Sequence, residues 1–235
     1  MPQARTGHLT VARFRLGRLG SGRPNRIALR RALSWVVLSL CGATDCLGYT
    51  ASLNPAAPTT VYLQVGVGSF TNTYIAGGQP QNNSTVNTVS TSVPAASVGN
   101  KTAQTMTTDS TASMSYWDGY SFCNVPGQLY IGGFFRSTSA TSTVARVSAS
   151  VPSVLTDAAG DTIPFSKIRW TSSGNGDSGT EPFPAAAFVS GSVQTVGSMS
   201  GNTWNESCWT FSYVNDTVPA AGTYKGTVLY TLSTP

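Results

Sequence analysis

The chain has 235 residues and a formal net charge of +5, but eight of its 14 basic residues lie in the first 31 positions, and beyond Asp45 six bases face eight acids, a net of −2. The positive charge therefore belongs to the N-terminus, which removes the basis for a nucleic-acid partner of the body. The single histidine, His8, lies in the same segment, so histidine-based catalysis and histidine metal ligation are excluded beyond it.

Arginines 5, 13, 15, 18, 23, 26, 30 and 31 precede an apolar stretch from Ala32 to Leu40, and small residues follow. A basic region, a short apolar run and a small-residue exit predict an export signal and leader over residues 1–52, cleaved somewhere in 43–52. The apolar run falls short of the ~20 residues that cross a bilayer. No later stretch reaches that length, so no transmembrane span is expected in the mature chain. If retained, the segment would act as a short membrane-associating anchor. The expected location is the periplasm, the cell surface or the extracellular space.

The mature part, 53–235, is expected to form a single antiparallel β-sandwich. Its alternation has period two, with no sustained helical periodicity. In chain order, Val61, Leu63, Val65 and Val67 alternate with polar or small residues and predict the first strand. Residues 77–115 are rich in Ser and Thr with weak alternation, and predict exposed strands with ill-defined ends. Leu129–Ile131 and Val144–Val151 predict two more strands. Val151–Leu155 and Ile163–Phe165, joined by Asp157-Ala158-Ala159-Gly160-Asp161, predict a hairpin. Pro164 assigns its return segment to an edge, because proline cannot donate to a ladder. Phe188–Val196 predicts a strand. Trp209, Phe211 and Tyr213 share one face of another, with Cys208 on the opposite face. The last strand alternates Tyr224, Gly226, Val228, Tyr230 and Leu232. Many short strands separated by turns indicate a sandwich or barrel.

Cys41 and Cys46 belong to the leader, which leaves Cys123 and Cys208. Two cysteines in an exported chain are expected to pair. The alternatives are two buried free thiols or a metal site, and two thiols without histidine make a poor zinc set. Trp204 and Trp209 flank Cys208 and are expected to pack around the bridge.

Catalysis finds little support, and no enzyme activity, cofactor or metal is expected. Gly176-Asp177-Ser178-Gly179 matches the loop around a serine-protease nucleophile, but no histidine is present to take the serine proton. The carboxylate pairs Asp157/Asp161 and Asp177/Glu181 flank turns, which such residues stabilise by bonding their own backbone. Asp157 and Asp161 also lack the alternating oxygen ligands of a calcium loop. Tyr116-Trp117-Asp118-Gly119-Tyr120 offers Trp117 and Tyr120 as candidate sugar-stacking residues. The competing reading buries Trp117 in a corner beside Cys123.

The closing stretch Pro219-Ala220-Ala221-Gly222-Thr223-Tyr224-Lys225-Gly226-Thr227-Val228-Leu229-Tyr230-Thr231-Leu232 resembles the last strand of chaperone–usher pilin subunits and of spore coat protein U-like domains. The Asp157-to-Phe165 hairpin is similar to hairpins of those subunits. The resemblance implies an immunoglobulin/pilin-like sandwich whose partners are copies of itself or related subunits and a periplasmic chaperone. It also implies that Val61, Leu63, Val65 and Val67 form a donor strand completing a neighbour's sheet by β-strand addition. The alternative is the first strand of a self-contained sandwich. A bridge from the middle of the chain to near its end departs from the N-terminal bridge of many pilins. The expected function is an exported structural or adhesive surface protein of fimbrial type. The alternative is a secreted or periplasmic carbohydrate- or ligand-binding module without catalysis.

Overall fold

The computed structural model describes residues 50–53, 60–138, 144–176 and 179–234. Their strands, in chain order, are β1 (Thr50–Ser52), β2 (Thr60–Val65), β3 (Val89–Ser90), β4 (Gln104–Thr105), β5 (Thr107–Thr108), β6 (Leu129–Arg136) and β7 (Val144–Ser150). They continue with β8 (Val154–Thr156), β9 (Thr162–Pro164), β10 (Ile168–Ser173), β11 (Ala186–Ala187), β12 (Val193–Ser200), β13 (Thr203–Tyr213) and β14 (Leu229–Ser233). The fold is all-β and antiparallel, as the alternation predicts.

Two sheets carry the core. The larger runs β11-β10-β13-β6-β2, with β1 and β4 also paired to β13. The smaller runs β12-β7-β14. β13 is the axis of the larger sheet. Its first half pairs with β6 on one side and with β1 on the other, Thr203 and Asn205 having a partner on each. Its second half pairs with β10, from Ser173↔Cys208 to Ile168↔Tyr213, and with β4 at Ser212 and Tyr213. β1 falls at the end of the stretch read from sequence as leader.

The facing surfaces divide the core volume unequally. Ile131, Phe135, Ile168, Trp170, Trp209 and Phe211 project from the larger sheet, whereas β7 answers with Ala145, Val147 and Ala149. The small side chains of β7 leave room for these rings in the roughly 10 Å between packed sheets, where Tyr230 of β14 also meets Trp209. Trp170 and Trp209 lie 4.9 Å apart between ring centres. Their indole N–H groups donate to the carbonyls of Pro184 and Phe183, each at 3.0 Å. Both polar handles are thereby satisfied inside the core.

The β8–β9 hairpin forms as predicted, paired Leu155↔Ile163. Asp157 Oδ1 accepts from the backbone N–H of Ala159 and of Asp161, so this carboxylate stabilises its own turn. Of the strand expected over Phe188–Val196, only the part from Val193 forms, as the start of β12; Phe188 follows the end of β11 at Ala187. Gly191, at φ +67°, turns the chain between them. The first strand also stops earlier than its alternation suggests. Gly66 adopts φ +80°, and any side chain there would run into Asn87, so the ladder ends at Val65.

The polar stretch 77–115 contributes only the two-residue strands β3, β4 and β5. It is held by hydrogen bonds rather than by ladders. Asn215, at φ +53° and fully buried, is one hub. Its Oδ1 accepts from Gly99 N–H, and its amide donates to the carbonyl of Ser97 and to Asn100 Oδ1, both at 2.9 Å. Asn215→Ala loses these bonds and places a less tolerant residue in the left-handed region, so urea denaturation is expected to show a loss of about 2 kcal/mol. Asn215→Gly keeps the conformation and isolates the hydrogen-bond part.

Candidate functional site

The outer face of the larger sheet is also covered, and this shapes the site. With a side-chain period of two, Tyr62 and Gln64 of β2, Tyr130, Gly132 and Phe134 of β6, and Trp204, Glu206 and Cys208 of β13 share that face. The register aligns them in rows: Tyr62↔Phe134↔Trp204 and Gln64↔Gly132↔Glu206. Residues 66–80 and 110–123 lie over these rows.

The first row becomes an aromatic cluster. Tyr62, Phe134, Trp204 and Leu53 are buried, and Phe70, Tyr74, Tyr116 and Trp117 pack against them from the cover. Tyr74 stacks on Trp117 at 5.2 Å and 17°, and Trp117 lies 6.0 Å from Trp204. The backbone N–H groups of Tyr74 and Ile75 donate to the carbonyls of Tyr116 and Trp117, joining the two parts of the cover.

The second row holds a buried carboxylate. Glu206 has no exposed surface. Its Oε1 accepts from the Ser115 hydroxyl at 2.7 Å, and its Oε2 accepts from the Tyr130 hydroxyl at 2.6 Å and from Trp204 Nε1–H at 3.1 Å. Gly132 makes this possible: a Cβ there would collide with the Tyr130 ring. Burial pushes the Glu206 carboxyl above its ordinary value; the donors from Tyr130, Ser115 and Trp204 pull it back in part, and Asp118 adds like-charge repulsion. Burial, then the neighbouring Glu206, pushes the Tyr130 hydroxyl well above the usual tyrosine range. No ion pair reaches Glu206 among the described residues; a salt bridge joins Lys167 to Asp216 at the surface.

Cys123 and Cys208 are joined, with Cα atoms 5.5 Å apart. The bridge packs with Ala112, Phe122 and Tyr130, and fastens the cover's C-terminal end to β13. The two tryptophans expected around it are elsewhere. Trp204 belongs to the aromatic cluster and Trp209 to the core between the sheets. Trp117 likewise packs on Tyr74 and Trp204 rather than on the bridge.

Of the candidate ligand residues, Trp117 is half-buried, whereas Tyr120 is 77% exposed. Exposed Met114 lies close by, through the bridge Met114↔Ser121. Of the candidate donor-strand residues, Val61 and Leu63 are partly buried and Val65 is buried, all against the core, with β2 at the sheet edge. Val67 lies past the strand end, its N–H bonded to Asn87 Oδ1 at 2.7 Å. Asp177 and Ser178 lie outside the described residues. Among the described residues, no group of three or more His, Cys, Asp or Glu side chains converges on a metal-sized site. No helix of the described residues is long and apolar enough to cross a membrane.

A separate pocket of about 220 Å³, lined by Val93, Val98, Tyr213, Val218, Pro219 and Tyr224 among others, opens beside the end of β13. It shares no lining residue with the carboxylate cluster. The sequence reading missed Glu206, Ser115 and Gln64. The signal available for Glu206 was an acid between Trp204 and Cys208, on a face otherwise occupied by residues that bury.

These features define an antiparallel two-sheet protein with a third, aromatic layer pinned by a disulfide. Comparison with protein-family models, curated proteins and solved structures finds no match to this chain.

Proposed function

We propose that this chain is an exported structural or adhesive surface protein, assembled with copies of itself or related subunits by β-strand addition. The observation that supports the reading best is the place of β2. It is the edge strand of the larger sheet and has β6 as its neighbour there. It inserts Val61, Leu63 and Val65 alternately into the core. A segment near the N-terminus that fills a groove from one sheet edge is the kind of strand a second copy can supply in trans. The disulfide suits an oxidising compartment, and the closing strand's resemblance to pilin subunits agrees with both. In this reading a periplasmic chaperone guards the edge before assembly.

The test is light scattering on purified mature protein with and without residues 53–68. Concentration-dependent polymers from the full chain, with a truncated chain that stays folded and captures the free 53–68 peptide, support assembly. A stable full-length monomer, with a truncated chain that unfolds, makes β2 an ordinary core strand and ends the proposal. A second reading, a carbohydrate-binding module, draws on exposed Tyr120 beside half-buried Trp117. Glycan-array binding that is lost in Tyr120→Ala favours it.

A further inference from the structure

Glu206 is the one acidic or basic residue among the described buried side chains, and neither the fold nor the proposed assembly needs its charge. Two of its three donors, Tyr130 and Trp204, belong to the sheet beneath. The third, Ser115, belongs to the cover. Ser115 is also the keystone of its turn: its Oγ accepts from Trp117 N–H at 3.0 Å, its N–H donates to the Tyr120 carbonyl, and its carbonyl accepts from Gly119 N–H. The turn 115–120 therefore makes its hydrogen bond to the sheet through one hydroxyl on one ionisable group, beside the ring contacts of Tyr116 with Tyr130 and of Trp117 with Trp204. Beyond this turn the cover is anchored at Cys123 by the disulfide.

We propose that Glu206 is a pH-sensitive latch, which seals the 113–122 turn on the sheet when protonated and loosens it when ionised. A buried carboxylate facing only neutral donors has lost most of its hydration, and that loss is large unless a cation compensates. The titratable groups around it cannot compensate. Tyr130 on β6, Tyr62 on β2 and Tyr116 in the cover are neutral at ordinary pH, and Asp118 in the turn carries the same sign as Glu206. Water reaches the carboxylate most readily if the turn lifts about its anchor at Cys123.

The direction follows from linkage. The closed form holds the proton more tightly than an open, hydrated form, so the closed form is fully favoured below the ordinary carboxylate value. That advantage disappears as pH rises to the raised value of the closed form. Loss of a single proton limits the change in opening to about tenfold per pH unit across that window, with a plateau above it. The inference does not rest on strand-exchange assembly: the latch lies on the outer face, to which β2 contributes Tyr62 and Gln64, whereas the donor reading uses the core-facing Val61, Leu63 and Val65.

The experiment is hydrogen exchange between pH 4.5 and 8, corrected for intrinsic rates, on the intact disulfide-bonded chain. The amides of Ser115, Trp117 and Gly119 are expected to lose protection as pH rises, by up to about tenfold per unit within the window, while those of β7 stay constant. Glu206→Gln, which can still pair with Ser115, Tyr130 and Trp204, is expected to flatten the profile and keep the turn closed. A profile that persists in Glu206→Gln, or a wild-type turn whose protection ignores pH, overturns the proposal. If that variant fails to fold, the wild-type chain still decides. It contains two glutamates, Glu181 and Glu206, so carbon-13 glutamate labelling gives two carboxyl titrations. One must move above the ordinary range and coincide with the loss of protection; two ordinary titrations overturn the latch.

Discussion

Replacing Cys123 and Cys208 together by alanine is expected to cost the protein about 4 kcal/mol in denaturant unfolding, among the largest losses any change here produces. The bridge closes a loop spanning 85 positions, so the unfolded chain gains much freedom when it is cut. The loss has a local component too. The disulfide packs with Ala112, Phe122 and Tyr130, and Tyr130 donates to Glu206. The variant's cover should therefore exchange its amides faster than the rest of the molecule even where the whole remains folded. Equal destabilisation of every region, with the cover no more labile than β7, would mean that the bridge acts only through the unfolded state.

Trp204→Ala is expected to cost about 3–5 kcal/mol, the range for emptying a buried aromatic site. Trp204 lies within ring-contact range of Tyr62, Phe70, Tyr74, Trp117 and Phe134. Its loss removes the surface on which the cover rests and one donor to Glu206. Trp117→Ala, at a half-buried position on the cover, should cost only about 1 kcal/mol by comparison. Trp204→Phe separates the two roles, since it keeps most of the ring and drops the indole donor. Thermal or urea unfolding of the three variants checks the order. A Trp117→Ala loss equal to that of Trp204→Ala would show that the cover, not the sheet, carries the cluster.

How far the sequence could be read differs between the two faces of the larger sheet. Where one face meets the core, alternation was legible: Trp209, Phe211 and Tyr213 share a side, and Val61, Leu63 and Val65 pack inward. The same period of two separates Trp204 from Trp209, because five positions place them on opposite faces. Proximity to Cys208 along the chain suggested a common environment that the pleat forbids. The cover was not legible, because Phe70, Tyr74, Tyr116 and Trp117 lie outside regular strands and follow no period. Glu206 was illegible for a different reason. An acid in a strand normally reads as a solvent-facing residue, and only its partners show that it is enclosed: Ser115 lies 91 positions away and Tyr130 76.

The position of β13 also sets a timetable. Its neighbours come from Thr50, Gln104, Leu129 and Ile168 onward, whereas the strand that joins them begins only at Thr203. A chain synthesised or threaded from its N-terminus therefore carries four strands without their common partner until Thr203 and the residues after it are available. Pairings such as Thr50↔Asn205 span most of the molecule, and topologies dominated by such distant pairings fold over milliseconds to seconds rather than microseconds. Through that interval the rings of Tyr62, Phe134 and Trp170 stand uncovered and prone to association. A binding protein that shields apolar strands would thus do most for this chain before Thr203–Tyr213 emerges, and little once that strand has closed the sheet.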